Sequence, residues 1–224
     1  MIDPLHALAT WVAPDGRFRR SRLAIVLAGA YAIFVVTYLA VNVSSIGRPA
    51  HTLWLPGEQR IPFIPEFEFL YILAYGIPVV AVFRLPDTRA FIRLLLAIGL
   101  TLAVAYTAYL IFPVYLERPD LEVTSPATWL LWLEYHDPSY NHFPSLHVAT
   151  AWLIYFACRP ALAHRFAFAA LLVGITVSTV FVKQHYLLDA PAGLLLAWLA
   201  WRVATRMIPH GPSVSDGAVP YRTR

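Results

Sequence analysis

The sequence predicts an all-α protein, a six-span transmembrane helical bundle with both termini cytoplasmic. Three observations carry that expectation. Of 224 residues, 59% are hydrophobic and only 13% charged, with a mean hydropathy of +0.60, whereas soluble domains carry about a quarter charged residues. Several apolar stretches approach the roughly 20 residues that cross a bilayer. Arginine, finally, is spread over the connections in the uneven way that a topology signal requires.

Taken in order, residues 1–21 are expected to form a cytoplasmic N-terminal segment, 22–208 one membrane domain, and 209–224 a disordered cytoplasmic tail rich in Gly, Pro and Ser. The first segment ends in Arg17, Arg19 and Arg20, and its Asp3, Pro4, Pro14 and Asp15 make a poor signal peptide. Spans are expected near 22–42, 66–83, 90–112, 144–158, 166–182 and 185–203. With the N-terminus inside, 13 of the 17 Lys and Arg fall on the cytoplasmic side, leaving Arg48, Arg60, Arg118 and Lys183 on the other. The fourth and fifth spans are short, about 22 and 25 Å at 1.5 Å per residue, against a hydrocarbon core of about 30 Å. Either they thin the bilayer or their outer ends stop at the depth of a phospholipid phosphate.

Two outer connections are long. Residues 43–65 hold Trp54 with Pro49, Pro56, Pro62 and Pro65. Residues 113–143 hold Trp129, Leu130, Leu131, Trp132, Leu133 and Tyr135, an apolar run too short to span but suited to the headgroup layer. It reads either as an anchor or as a rim that guides a lipid inward. The lone Cys158 rules out an intrachain disulfide, and no CxxC pair points to structural zinc. The net charge of +4 follows topology, so no nucleic-acid partner and no cofactor or metal is expected.

Two strings carry chemistry: Phe143-Pro144-Ser145-Leu146-His147 and Lys183-Gln184-His185-Tyr186-Leu187-Leu188-Asp189. Each opens an apolar run, and a helical hairpin returns both to the same, non-cytoplasmic face. Pro144 suits the first turn of a helix, whose unpaired N–H groups and dipole favour an anion. Ser145 could add its hydroxyl, and His147 lies close enough to protonate a departing oxygen. His185 and Asp189, four apart, share a helix face. The carboxylate can hold one imidazole nitrogen and leave the other as a nucleophile. Lys183 and Arg118 supply cations for phosphate oxygens. His136 and His142 read as solvated loop residues, with a zinc site built on them and His147 as the alternative.

These residues resemble the type-2 phosphatidic acid phosphatase superfamily, whose signature pairs Pro-Ser-x-His with a later His-x-x-x-Asp, here Pro144, Ser145, His147, His185 and Asp189. The resemblance implies a six-helix membrane bundle, no metal and a phosphohistidine intermediate. It makes His185 the nucleophile, Asp189 its orienting partner and His147 the general acid. Asn141 to His147, His185 to Asp189, and Ile61-Pro62-Phe63-Ile64-Pro65 are similar to the inositol phosphorylceramide synthase branch, whose relatives move a phospho-headgroup between lipids. Two cations of the phosphatase pattern are absent. Ile111 stands in place of a lysine, and Thr179 follows Ser178 in place of an arginine; Lys183 is the candidate replacement.

The expected function is an integral, multi-pass, metal-independent phosphatase or phosphotransferase. It would cleave or transfer the phosphoryl group or phospho-headgroup of a lipid phosphate or phospholipid on the periplasmic or lumenal side. The alternative is an inactive relative that binds or transports lipids. A soluble-type vanadate haloperoxidase and a zinc hydrolase are the more distant ones.

Overall fold

Eight helices and the loops between them make up the described residues, 3–209, of the computed structural model, and no strand occurs among them. They are α1 (Asp3–Val12), α2 (Arg20–Ser44), α3 (Pro65–Arg84), α4 (Thr88–Ile111), α5 (Pro126–Glu134), α6 (Leu146–Cys158), α7 (Arg165–Phe181) and α8 (Asp189–Met207). By length and composition α2, α3 and α4 can each cross a membrane. The remaining expected spans are shorter or more polar. α6 has 13 residues, α7 has 17, and α8 has 19 with Asp189 and Arg206 near its ends. The expected tail lies, but for Pro209, outside the described residues.

The centre of the bundle is α6, enclosed by α3, α4, α7 and α8. Helix contacts here rest on small side chains, as they do where lipid supplies no drive to associate. Ala97 and Ala105 of α4, Ala149 and Ala157 of α6, and Ala197 and Ala204 of α8 are all buried. The tightest approach is at Gly193 of α8. A Cβ there would collide with the Ser145 carbonyl oxygen and crowd Val148 at 3.3 Å. By contrast α2 lies on the outside and buries only Leu23 and Asn42.

Local signals set the helix ends. Asp87 caps α4 through the Ala90 N–H at 2.7 Å, and Ser125 with Thr128 forms a capping box on α5. Within α3 the stretch Ile72–Gly76 tightens to a 3-10 turn, where Pro78 cannot donate to the carbonyl of Ala74 and its ring crowds it. One sequence expectation needs correction. Pro144 is not in the first turn of α6, because Ser145 takes the N-cap position and accepts from the Val148 N–H at 3.3 Å.

Several arginines gather at the end of the bundle away from Arg118. Arg20 of α2 donates to the Val82 carbonyl near the end of α3. Arg93 of α4 reaches the Ile208 carbonyl at 2.8 Å, a cation at the C-terminus of α8. The N-terminal segment, read from sequence only as cytoplasmic, folds as α1 and buries Ala9 and Val12 against this end. At the opposite end the loops before α3 and before α6 form a cap. His51, Val114 and Asn141 lie side by side as isolated parallel bridges, above a small core of Val114, Leu116 and Tyr186.

Gly193→Ala is expected to lower stability by roughly 1–3 kcal/mol, the usual cost of overpacking a close contact. Thermal melting in detergent measures it. An unchanged Tm would show that α8 can retreat from Ser145 at no cost.

Candidate active site

Two helix starts meet under the cap. The Ser145 N–H donates to the Asp189 carbonyl oxygen at 3.1 Å, so the beginning of α6 is tied to the beginning of α8. The Asp189 carboxylate is fully buried and accepts from the His185 Nδ1–H at 3.0 Å and the Tyr186 N–H at 2.9 Å. With Nδ1 donated, Nε2 of His185 presents its lone pair, 2.9 Å from the Ser145 hydroxyl. Asp189, His185 and Ser145 thus form one hydrogen-bonded chain.

His147, in the first turn of α6, stands beside it, with the two imidazole centroids 5.8 Å apart. The His147 ring is half-buried against Tyr71 and Tyr75 of α3, and the Tyr71 hydroxyl lies 3.1 Å from its Nε2. Tyr71 gave a weak sequence signal, an aromatic in an apolar run, and only the packing of α3 on α6 reveals it.

His147 and His185 line one cavity of about 290 Å³ together with Arg118, Glu134, Asp137 and Gln184. The Arg118 guanidinium pairs with the Asp137 carboxylate at 2.8 Å, donates to Gln184 Oε1 at 3.0 Å and lies over the Tyr135 ring. Gln184 in turn donates to Glu134 Oε2 at 3.0 Å. Burial pushes the Glu134 carboxyl up to about 7.

Lys183 is not brought to this cavity. Its ammonium donates to the Ile61 carbonyl at 2.7 Å, and burial lowers its pKa. Positions that hold cations in the phosphatase pattern behave accordingly. Ile111 is 76% exposed on the outside of α4. Ser178 and Thr179 are buried and bond to carbonyls of their own helix, and the Thr179 carbonyl receives the His185 N–H at 3.2 Å.

His142 departs from the sequence expectation of a solvated loop residue. It is buried, with Nδ1 at 2.8 Å from the Gln184 carbonyl and Nε2 at 2.8 Å from the Ser139 hydroxyl. Burial, with His185 and Arg118 nearby, lowers its pKa, so it stands neutral. His136 is exposed on α5's far end and bonds to Trp132, so the set His136, His142 and His147 is not assembled. The metal-capable group among the described residues is His142, His185 and Asp189, with ligand atoms within 4.8 Å of one another. Both ring nitrogens of each of these histidines already have protein partners, and a cation would have to displace one of them. Another residue missed from sequence is Glu58. Its buried carboxylate accepts from the Leu55 and Leu187 N–H groups at 2.8 and 2.6 Å, which clamps the first outer loop to the His185 segment.

A match to the PAP2 superfamily covers residues 92–211, more than half of the 224-residue chain. The chain belongs to the PAP2 superfamily. Members of that superfamily are generally phosphatases and phosphotransferases, and the matched segment contains every residue of the Asp189–His185–Ser145 chain, His147 and Arg118. Helices α1 to α3, and with them the Ile61 to Pro65 stretch, lie outside the match. No curated protein and no solved structure matches the chain.

Tyr71→Phe should lower kcat by about 3- to 30-fold, less than the roughly 10²–10⁴ of losing a general acid itself, without changing Tm. An unaltered kcat would leave Tyr71 with a packing role only. Glu134 binds its proton more tightly folded than unfolded, so its contribution to stability is full below the usual 4.5 and is lost as pH rises through about 7. Glu134→Gln should therefore flatten the fall in Tm across that window, and an identical pH profile would contradict the assignment.

Proposed function

We propose that this chain is a membrane-embedded, metal-independent enzyme that removes or transfers the phosphoryl group of a lipid phosphate through a phosphohistidine. The observation that carries the reading is the buried Asp189–His185–Ser145 chain opening, beside His147 and Arg118, on one cavity. Asp189 holds the tautomer, so the Nε2 lone pair of His185 attacks phosphorus as the Ser145 hydroxyl turns aside. The N–P bond forms while the bond from phosphorus to the leaving oxygen breaks. His147 gives that oxygen a proton. Water or another hydroxyl then attacks the phosphohistidine, returning its proton to His147 and the bonding pair to His185.

Arg118 supplies the charge that phosphoryl transfer requires. Its guanidinium is preorganised by Asp137, Gln184 and Tyr135, and a phosphate can take the place of a carboxylate partner on the same fork of donors. Ser145, bonded to Nε2 in the resting protein, is positioned to donate to the phosphoryl oxygen once His185 is modified. Lys183 is left out of this assignment because its ammonium is engaged at Ile61.

We place the site on the non-cytoplasmic face of a six-span bundle. Support comes from its position at the end opposite to Arg20, Arg93 and Arg206. α6, with 13 residues, rises only about 20 Å, which sets His147 below a headgroup plane bounding a core of about 30 Å. Glu134 and Asp137 in the same cavity favour, as a second reading, a hydroxyl-bearing acceptor in place of water.

The test is phosphate release from lipid phosphates in detergent micelles containing EDTA. Wild-type protein should turn over, and His185→Ala should lose at least about 10³-fold while Asp189→Asn, which keeps the imidazole, loses less. Activity retained in His185→Ala would sink the covalent mechanism. Activity abolished by EDTA and restored by a divalent ion would move the chemistry to His142, His185 and Asp189 as metal ligands.

A further inference from the structure

Glu68, in the first turns of α3, is fully buried, and neither of its carboxyl oxygens receives a hydrogen bond from an N–H or O–H donor among the described residues. Its neighbour is a second carboxyl, that of Glu134 on α5, which packs against the start of α3. The surrounding elements bring no cation to Glu68. α7 packs on this end of α3 through Phe181 and Phe67, and its one ionisable side chain, Arg165, is at its other end. Lys183, just past α7, is turned to Ile61 and faces Glu58. α5 adds the Tyr135 phenol beside both carboxyls. Arg118 is linked to Glu134 through Gln184 and is already paired with Asp137. Two buried carboxyls in contact with no cation between them do not both ionise, so the pair holds a proton.

The pair is connected to the reacting groups. Glu134 lines the polar cavity together with Tyr75, Tyr71 and His147. The Tyr75 hydroxyl faces both the Glu134 carboxyl and the Tyr71 hydroxyl, and the Tyr71 hydroxyl lies 3.1 Å from His147 Nε2. Glu68, Glu134, Tyr75, Tyr71 and His147 therefore stand in line. The cavity of about 290 Å³ has room for a water wherever two of its lining groups are too far apart for a direct bond. No ion pair reaches His147 among the described residues, so nothing in the resting site holds its ring charged, and Tyr71 is its polar neighbour.

We propose that the Glu68–Glu134 pair stores the proton that charges His147, and that Tyr75 and Tyr71 carry it there. This rests on the phosphoryl-transfer reading and adds its proton supply. When a phosphate docks beside His147, Glu134 gives its proton to Tyr75, Tyr75 passes its own to Tyr71, and Tyr71 passes its own to His147. His147 becomes imidazolium, both tyrosines are restored, and Glu134 is left as a carboxylate. Glu68 keeps its proton and donates it in a hydrogen bond to that carboxylate, so no bare charge remains in the wall. His147 then gives its proton to the departing oxygen. The proton released by the attacking hydroxyl goes back to His147 and returns along the same line to Glu134. Glu68 is a positioning residue in this scheme, acting through Glu134.

The experiment uses two substrates that differ in their need for a proton. The alkoxide leaving octyl phosphate must be protonated, whereas p-nitrophenyl phosphate releases a stable phenolate. Phosphate release from each is followed in detergent micelles between about pH 5 and about pH 9, with Tm recorded, for wild type, Tyr75→Phe, Glu134→Gln, Glu68→Gln and Glu68→Leu. Tyr75→Phe and Glu134→Gln should fall at least about tenfold further on octyl phosphate than on p-nitrophenyl phosphate. For wild type, kcat/KM on octyl phosphate should drop as pH rises through about 7, where Glu134 loses its proton. Glu68→Leu removes the donor that stabilises the Glu134 carboxylate, so this drop should move to higher pH. Glu68→Gln keeps a donor and should put it back. Equal losses on the two substrates at unchanged Tm would overturn the proposal, as would a drop at one pH common to every variant, which would belong to the substrate's own phosphate. A second arm needs no turnover. The infrared spectrum of wild type near neutral pH should contain the carbonyl stretch of a buried protonated carboxyl, reduced in Glu68→Gln, and a difference spectrum without it would remove the proton store. If wild type turns over neither substrate while that stretch is present, the phosphoryl-transfer reading and the relay both fail and the protonated pair stands.

Discussion

The junction between α6 and α8 depends on one buried carboxylate. Asp189 sits at the head of α8 with no measurable exposure, where an unpaired charge would be very costly. It is held by the His185 imidazole and the Tyr186 N–H, and its own carbonyl takes the Ser145 N–H. One residue thereby orients the His185 imidazole, shapes the turn before α8 and pins the start of α6. The close approach this requires is possible because residue 193 has no side chain.

Around that junction the protein separates two environments. Above lies a polar network that links Arg118 to Asp137 and, through Gln184, to Glu134, so the guanidinium is not an isolated buried charge. Below lies hydrocarbon, walled by Ala30, Ala74 and Ile98. His147 is at the boundary and faces both.

The outer loops are structural parts of the site. Glu58 receives the Leu187 N–H across 129 residues of sequence, Trp54 packs edge-on to Tyr186 at 4.9 Å, and the Tyr186 hydroxyl reaches the Tyr115 carbonyl. His142, folded inward, bonds the Gln184 carbonyl. These links hold the His185 turn from above, while the Thr179 carbonyl holds its N–H from below. Loop residues of ordinary appearance therefore decide where the imidazole points.

Local chemistry was legible in the sequence. An apolar excess in runs of about 20 residues gives an all-helical protein in which α2, α3 and α4 can each cross a membrane. The spacing of His185 and Asp189 anticipates their pairing, but not on the shared helix face expected: α8 begins at Asp189, and His185 reaches the carboxylate from the turn before it. The Pro144 to His147 string, with Arg118, gives the superfamily. What only the tertiary structure decided are contacts between segments far apart in the chain. Tyr71 meets His147, Glu58 clamps Leu187, Lys183 turns to Ile61 and away from the cavity, and an apolar slot opens under His147. Periodicity and motif spacing report which face of one helix a residue occupies. Which neighbour covers that face depends on how closely small residues such as Gly193 and Ala197 let the helices approach, and that is a property of the packed bundle.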